Sequence, residues 1–354
     1  MVRRAHSSTY ALALVFSLLA AGCLPDLDAY TIVARGQDGA PPPTDGGTGT
    51  PNPIDLGAPC GDPHLLVATV TGTSGEARAI RWDVAAGAYC RATPSLERQR
   101  AFGWAIRDVD WHPETGDLLG LDDAVVALDD QGFLGWRHQP FDDSAFSGSW
   151  VVALGSGPSL RVAAFWTERS SSSLEYGRLL DANGFVTNER FEMPFSHSRI
   201  VTAHPSGDGR LLIASGGPIF AISVGDGTER LREADGVDLF PGMSPSFNDL
   251  AGSRNHLDTD VATRRVSMAH DRGVLLWTLG DPPPSSLFTC PSLCESYEIA
   301  TPGPGDEVFS ICDPPGSSDR HLVHMTRGSC ELLIDGTSLG SHDLQDVTLV
   351  REAR

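Results

Sequence analysis

The sequence predicts an all-β fold, and three observations predict it. Short runs rich in valine, isoleucine, leucine and aromatic residues recur along the chain, separated at close intervals by glycine, proline, aspartate and serine. This is the pattern of strands joined by turns. No segment after residue 60 keeps the apolar spacing of an amphipathic helix. A unit of strand, turn, strand and a turn ending in glycine occurs six times, which predicts how the strands are grouped.

The six units are spaced regularly. The three clear copies span 108–132, 202–227 and 258–280, and the three weaker copies span 64–87, 160–184 and 306–328. Their closing glycines are 43 to 53 residues apart, close to the roughly 40 to 50 residues of a four-stranded propeller blade. The spacing therefore predicts a β-propeller of six blades, each of about four antiparallel strands, over residues 60–354. Seven blades is the alternative, and a pair of β-sandwiches does not explain the spacing.

The clear copies also resemble a known kind of repeat. Segments such as Val125–Gly132 and Ile219–Gly227, in which a strand runs into a turn with aspartate and glycine, resemble the blades of WD-repeat and YVTN-type β-propellers. The resemblance implies a closed ring, in which each blade covers its apolar face and edge against its neighbours. Two further strands, 331–335 and 347–350, follow the last closing glycine, and we expect one of them to complete a blade begun near His64.

The N-terminus is typical of an exported protein. Two arginines precede an apolar run at 10–21 and a few small residues, so residues 1–22 are predicted to be a signal peptide. The segment Leu19-Ala-Ala-Gly-Cys23 resembles a bacterial lipobox, which implies acylation of Cys23. An ordinary signal peptide cut near Gly22 is the alternative. By the same resemblance, Leu24 implies the outer membrane, with the protein facing either the periplasm or the medium.

Residues 23–59 are predicted to be a lipid-anchored tether ahead of the propeller at 60–354. Residues 37–59 contain six prolines and five glycines and almost nothing apolar. Such a segment cannot bury enough surface to offset the entropy lost on ordering.

The other cysteines are predicted to be structural. They are Cys60, Cys90, Cys290, Cys294, Cys312 and Cys330. An even number in an exported chain predicts disulfides. The three residues between Cys290 and Cys294 do not match a thioredoxin-like redox pair. Pairing of Cys60 with Cys90 and pairing of Cys60 with Cys330 both remain open.

The net charge of −20 argues against nucleic acid and against direct contact with anionic lipid. Any membrane attachment is therefore expected to run through the lipid anchor alone. All 26 basic residues are arginine. This excludes mechanisms that need a lysine amine, such as P-loop nucleotide chemistry and Schiff-base formation.

One group of polar residues is a candidate metal site. Aspartates recur ahead of the same turn in two copies, and an asparagine and a histidine flank the second pair; the candidate ligands are Asp108, Asp110, Asn255, His256 and Asp258. If these residues face the axis of a propeller, their oxygens suit a hard cation such as calcium. The alternative is that the aspartates hydrogen-bond nearby backbone, as they often do in turns.

Two functions follow from these features. The first is an extracytoplasmic, lipid-anchored binding or assembly scaffold for an unidentified protein or small molecule, with no cofactor. The second is a calcium-dependent propeller hydrolase or lactonase that uses axial carboxylates. The sequence contains no His-Glu-x-x-His, Gly-x-Gly-x-x-Gly, Cys-x-x-Cys-His or Asp-x-Asp-x-Asp-Gly motif, which favours the scaffold over the enzyme.

Overall fold

The computed structural model describes residues 30–31, 58–71, 77–91, 108–111, 118–121, 124–128, 134–138, 146–155, 160–168, 175–192, 199–203, 209–215, 219–223, 237–238, 256–270, 272–279, 281, 287–339 and 342–351. The predicted signal peptide, Cys23 and most of the predicted tether lie outside these residues. Among the described residues, no helix is both long enough and apolar enough to cross a membrane.

The described residues form strands β1 to β25 and one short 3-10 helix, Gly336–Leu339. The first thirteen strands are β1 Tyr30–Thr31, β2 Ala58–Pro59, β3 His64–Thr71, β4 Ala77–Asp83, β5 Ala88–Arg91, β6 Asp108–Trp111, β7 Leu118–Leu121, β8 Val125–Leu128, β9 Leu134–His138, β10 Phe146–Leu154, β11 Arg161–Glu168, β12 Glu175–Asp181 and β13 Val186–Glu192. The remaining strands are β14 Arg199–Ala203, β15 Arg210–Ser215, β16 Ile219–Ser223, β17 Val237–Asp238, β18 His256–Asp260, β19 Arg265–His270, β20 Gly273–Thr278, β21 Ser296–Pro302, β22 Glu307–Asp313, β23 His321–Thr326, β24 Ser329–Ile334 and β25 His342–Val350.

These strands pair into separate sheets, nearly all antiparallel. The strand orders are β2-β5-β4-β3-β25, β1-β9-β8-β7-β6, β10-β11-β12-β13, β14-β15-β16-β17, β18-β19-β20 and β21-β22-β23-β24. The short β2 is parallel to β5. Consecutive strands pair with each other within each sheet, which is the local meander that the repeated strand-turn-strand unit predicted.

The sheets form a closed ring. The strand at the inner end of each sheet contacts the inner strand of the next: β6 contacts β10, β10 contacts β14, β14 contacts β18, β18 contacts β21, β21 contacts β25 and β25 contacts β6. We call each of these contacts between inner strands a seam. A ring of antiparallel sheets with their inner strands around an axis is a β-propeller, so the predicted all-β propeller is confirmed.

The predicted number of blades needs a correction. Five of the sheets are complete blades with four or five strands, whereas β18-β19-β20 has three. The sequence predicted six complete blades, with seven as the alternative; the described strands form five complete blades, so both numbers are wrong. The copy at 258–280 is followed by three prolines at 282–284, which lack the N–H that a further paired strand requires.

In place of a fourth strand, β20 forms an isolated antiparallel β-bridge with Phe288. The N–H of Val274 donates to the carbonyl of Phe288 at 2.9 Å, and the N–H of Phe288 donates back at 2.8 Å. The neighbouring Gly273 permits this approach, because a Cβ there would lie 2.6 Å from the Phe288 carbonyl oxygen.

The two ends of the described propeller meet in one blade. Strand β25 pairs with β3 along its length, with Val347 opposite Val67 and Val350 opposite His64. One of the two late strands was expected to complete the blade begun near His64, and β25, which includes 347–350, does so. This pairing closes the ring through backbone hydrogen bonds between distant parts of the chain.

The core lies between neighbouring blades. One apolar cluster joins Leu65, Val67 and Trp82 of the closing blade to Phe309 and Ile311 of the preceding blade. Similar clusters fill the gap between β18–β20 and β21–β24 and the gap between β6–β9 and β10–β13. Strands such as β11, β20 and β22 carry continuous buried runs, because both faces of their blades are covered by neighbours.

All six cysteines outside the N-terminal segment form disulfides, as predicted. The pairs are Cys60–Cys90, Cys290–Cys330 and Cys294–Cys312. The alternative pairing of Cys60 with Cys330 is wrong. The segment around Phe288 pairs with β20, and the disulfide from Cys290 to Cys330 joins this segment to β24, the outer strand of the next blade.

Candidate axial site

The first two candidate aspartates lie on β6 and span the seam to β10. Residues two apart on a strand point to the same face, so Asp108 and Asp110 both reach the next blade. The Asp108 carboxylate accepts a hydrogen bond from the N–H of Val151 at 2.6 Å. The Asp110 carboxylate accepts one from the N–H of Ala153 at 2.7 Å.

The seam from β25 to β6 is bridged in the same way. The Asp346 carboxylate accepts from the N–H of Val109 at 3.1 Å and from the N–H of Val347 at 2.7 Å. An inner strand presents backbone groups on the side away from its own sheet, and buried groups of this kind need partners. Aspartate supplies an acceptor that reaches them.

Threonine hydroxyls bridge two further seams. The Thr301 hydroxyl on β21 accepts from the N–H of Leu349 on β25 at 3.1 Å. The Thr259 hydroxyl on β18 donates to the carbonyl of Ala203 on β14 at 3.0 Å. Short polar side chains on inner strands thus tie neighbouring blades together around much of the ring.

Asp258 lies at the centre of this arrangement. Its carboxyl group accepts from the N–H of Thr259 at 2.7 Å and from the hydroxyl of Thr348 at 3.2 Å, and it also hydrogen-bonds the side chain of Thr301. Side chains from β18, β21 and β25 therefore meet at one buried point.

Burial changes the acidity of these groups. Burial raises the pKa of Asp258 to about 7, although the hydrogen bonds from Thr301 and Thr259 lower this pKa. Burial also raises the pKa of Asp108 well above its ordinary value, and the adjacent Asp346 raises it further. A carboxyl group removed from water favours its neutral form, and a neighbouring acid adds to that preference.

The candidate metal ligands are only partly brought together. Asp108, Asp110 and Asp258 lie on inner strands, and their carboxylates accept hydrogen bonds from N–H or O–H donors. His256 begins β18, but its side chain lies outside the described part of the structure, as does the whole of Asn255. Within the described ranges, no group of three or more histidine, cysteine, aspartate or glutamate side chains is arranged to hold a metal ion. A calcium site formed by all five residues remains a prediction.

Sequence reasoning missed three residues of the axial arrangement, namely Asp346, Thr301 and Thr348. A signal for two of them was present, because Asp346-Val-Thr348 repeats the pattern of Asp108-Val-Asp110. Aligning the inner strands on this aspartate would have placed Asp346 at a seam. Thr301 belongs to no such pattern in the sequence.

An ion pair extends the same region to the end of β25. The Arg351 guanidinium binds both carboxylate oxygens of Asp260, with Nε at 3.1 Å and Nη2 at 2.5 Å. Asp260 also accepts hydrogen bonds from Ala262 and Thr263 in the following turn. The second aspartate of β18 therefore stabilises a turn and holds the end of the closing strand.

No protein-family model matches the chain, and no curated protein matches it. In fold it is similar to a putative TolB from Agrobacterium tumefaciens, at 14% identity and a TM-score of 0.41 over 82% of this chain and 99% of that one. It is also similar to virginiamycin B lyase from Staphylococcus aureus, at 11% identity and a TM-score of 0.35 over 77% of this chain and 86% of that one. A protein from Lactobacillus plantarum is similar at 12% identity, with a TM-score of 0.43 over 82% of this chain and all of that one. The β-propeller class assigned here rests on the strand order and the closed ring of seams.

Proposed function

We propose that the chain is an exported, lipid-anchored β-propeller that acts as a binding or assembly scaffold. The observation that carries this proposal is the use of the inner-strand aspartates. Asp108, Asp110 and Asp346 each accept a backbone N–H from the next blade. Because these carboxylates hold the blades together, they favour a rigid support over a catalytic centre. In such a scaffold the loops at the rim contact the partner.

The disulfides support the proposed compartment. Three disulfides in one domain persist in the periplasm or outside the cell, whereas thiols are kept reduced in the cytosol. Together with the apolar N-terminal run and Cys23, they favour export and attachment to the bacterial outer membrane through acylated Cys23.

Membrane fractionation of the full chain tests the anchor. We expect the wild-type chain in the membrane fraction and Cys23→Ser in the soluble fraction of the envelope. The matched control is Ala20→Leu, which brings the lipobox-like segment closer to the usual pattern and should stay with membranes. Membrane recovery of Cys23→Ser equal to wild type would contradict the anchor.

The absence of lysine provides a selective test of binding. Carbodiimide joins a carboxylate to an amine, and this chain has 46 acidic residues but no lysine. Zero-length coupling in intact cells should therefore join its acids mainly to lysines of a bound partner. A scaffold with a protein partner predicts one or a few conjugates of defined mass. Recovery of only the uncoupled chain from cells would contradict a protein-binding role.

A further inference from the structure

One arginine on β19 has a buried donor without a partner. Arg265 is the first residue of β19, and within the part of the chain that the structure describes its Nη1 atom is buried and has no hydrogen-bond acceptor. Buried polar groups of folded proteins are nearly always hydrogen-bonded, and leaving a charged donor unpaired costs free energy. The guanidinium is therefore available to a group from outside the chain.

The acid opposite Arg265 is already occupied. Asp260 on β18 is paired directly with Arg265 in the sheet, so the two side chains lie on the same face. The two carboxylate oxygens of Asp260 bind Arg351 instead. In the next blade Asp306, in the turn that leads into β22, binds Arg327. Neither acid neutralises Arg265.

The same blade position carries arginine in two other blades. Arg161 begins β11 and Arg210 begins β15, each the second strand of its blade, as Arg265 begins β19. All three residues are half-buried. The Nη1 of Arg161 donates to the carbonyl of Leu160 at 3.0 Å. The chain itself therefore satisfies Arg161, whereas the corresponding atom of Arg265 has no such acceptor among the described residues.

Arg265 lies at one end of the gap between two blades. On the same face of β19, the hydroxyl of Ser267 donates to the carbonyl of Ala300 on β21 at 2.9 Å, so this face is turned toward the next blade. Thr278 on β20 is paired directly with Arg265. Leu276, on the same face as Thr278, packs in the apolar cluster between the two blades. The side chains of Arg265 and Thr278 are therefore neighbours just beyond the apolar filling of the gap.

The preceding residue places a second cation at the surface. Arg264 is exposed, and its φ of 57° is in the left-handed region that favours glycine. Its N–H donates to the Val261 carbonyl at 3.3 Å, and its carbonyl accepts from the N–H of Leu279 at 2.9 Å. Residues held in such costly conformations are concentrated at functional sites. The position of Arg264 therefore agrees with a role for its side chain beside Arg265.

We propose that Arg265 and Thr278 bind an anionic group, a carboxylate or a phosphate, of a ligand that enters the gap at this end, with Arg264 attracting the anion from the surface. A guanidinium presents parallel N–H donors that match two oxygens of either group. The threonine hydroxyl donates to a further oxygen. The bound anion supplies the acceptor that the buried Nη1 lacks. This site goes beyond the scaffold function, and neither its presence nor its failure bears on the anchor.

Thermal unfolding of the full chain in increasing inorganic phosphate or sodium acetate, at constant pH and with chloride holding the ionic strength constant, tests the proposal. An anion that binds the native state raises the midpoint, whereas the general stabilisation by phosphate acts equally on every variant. Arg265→Met keeps an unbranched apolar stem and loses the guanidinium, so we expect anion binding to weaken about tenfold or more. Arg161→Met is the matched control, and its midpoint should rise with the anion as in wild type.

The two anions distinguish the two kinds of ligand. A saturable rise of the wild-type midpoint with acetate alone identifies a carboxylate ligand, and a rise with phosphate alone identifies a phosphate. A rise with both supports a site that accepts either group. No saturable rise with either anion, or an equal rise in wild type and Arg265→Met, would overturn the proposal.

The midpoints without added anion give a second readout. Arg265→Met should be at least as stable as wild type, because it removes an unpaired buried donor, whereas Arg161→Met should unfold at a lower temperature because it loses the bond to the Leu160 carbonyl. A lower midpoint for Arg265→Met, or its failure to fold, would show that this guanidinium has a structural role and would contradict the proposal. Thr278→Val replaces the hydroxyl by a methyl group and should also weaken anion binding. Binding equal to wild type in this variant would contradict the proposed pair of donors.

Discussion

The Asp258 carboxyl group accepts a hydrogen bond from the hydroxyl of Thr348 at 3.2 Å, although their strands belong to blades that are not neighbours. Strand β21 lies between β18 and β25 in the ring. The side chains therefore reach past one blade to meet near the axis, and Thr301 of β21 joins them. These side chains bind one another, which is the basis for assigning the aspartates a structural role.

Removing the Asp346 carboxylate should destabilise the fold. Asp346→Ala leaves the Val109 N–H without its side-chain acceptor in a buried seam, which costs about 1–3 kcal/mol. Equilibrium unfolding in urea measures this loss. The control is Asp319→Ala at an exposed position, where we expect a change within about 0.5 kcal/mol. A loss no larger than that of the control would count against a structural seam.

The bridge that stands in for a fourth strand depends on Gly273. In Gly273→Ala the new Cβ would lie 2.6 Å from the Phe288 carbonyl oxygen, so one of the two segments must move. Such overpacking typically costs about 1–3 kcal/mol, and the thermal midpoint should fall. Gly305→Ala is the matched control, because its nearest neighbour is 3.7 Å from the new Cβ. Equal midpoints for the two variants would show that the bridge tolerates displacement.

The disulfide from Cys290 to Cys330 should contribute much of the stability of this region. Its cysteines are 40 residues apart, and closing a loop of that length constrains the unfolded chain by roughly 3–4 kcal/mol. The double variant Cys290→Ser, Cys330→Ser should lose an amount in this range in denaturant unfolding under oxidising conditions. Wild type under reducing conditions should lose at least as much, since all three disulfides open. Unchanged stability of the double variant would remove the structural role assigned to this pair.

Two buried histidines should make the fold sensitive to acid. Burial, and then the charge of Arg81, lower the pKa of His64 to about 4, and burial with Arg178 does the same for His138. In the unfolded chain each pKa is near 6.5. The stabilisation is therefore complete above pH 6.5 and is lost as pH falls toward 4, because the unfolded chain takes up protons first.

The variant His64→Gln isolates one of these contributions. The His64 ring accepts from Arg81 at Nε2, at 3.0 Å, and so carries its proton on Nδ1, which donates to the Gly61 carbonyl at 3.1 Å. Glutamine does not titrate, so the stability gap between wild type and the variant should narrow from pH 7 to pH 4.5. Unfolding midpoints at a series of pH values measure the gap. A gap that stays constant over this range would mean that His64 is protonated equally in both states.

The sequence predicted the fold well because the strands of a propeller blade are close together in the chain. Each strand pairs mainly with its neighbour in the chain, so the short apolar runs of β15 and β22 and the glycine after each pair of strands are enough to reveal the unit. The blade around β18–β20 was predicted less well. Its closing glycine, Gly280, is followed by prolines and then by the bridge between Phe288 and Val274. Nothing in the sequence pattern indicates that this bridge takes the place of a fourth strand.

The axial arrangement was harder to predict because it joins distant residues. The recurrence of aspartate at 108 and 258 was visible, but the partners of these side chains depend on how the blades are arranged in the ring. Asp346 approaches Val109 across 237 residues, a contact that requires the ring to close. Repetition therefore identified the positions, while their role as links between blades came from the three-dimensional arrangement.

The most direct test of the central claim, that the axial aspartates hold blades together, is thermal unfolding of the full chain with and without excess EDTA. The protein is purified without chelator, and calcium is restored in a third sample. An ion that binds only the native state must raise the midpoint of thermal unfolding. We predict the same midpoint in all three samples, together with a lower midpoint for Asp346→Ala. A midpoint that falls with EDTA and recovers with calcium would contradict this account and favour the calcium-dependent hydrolase.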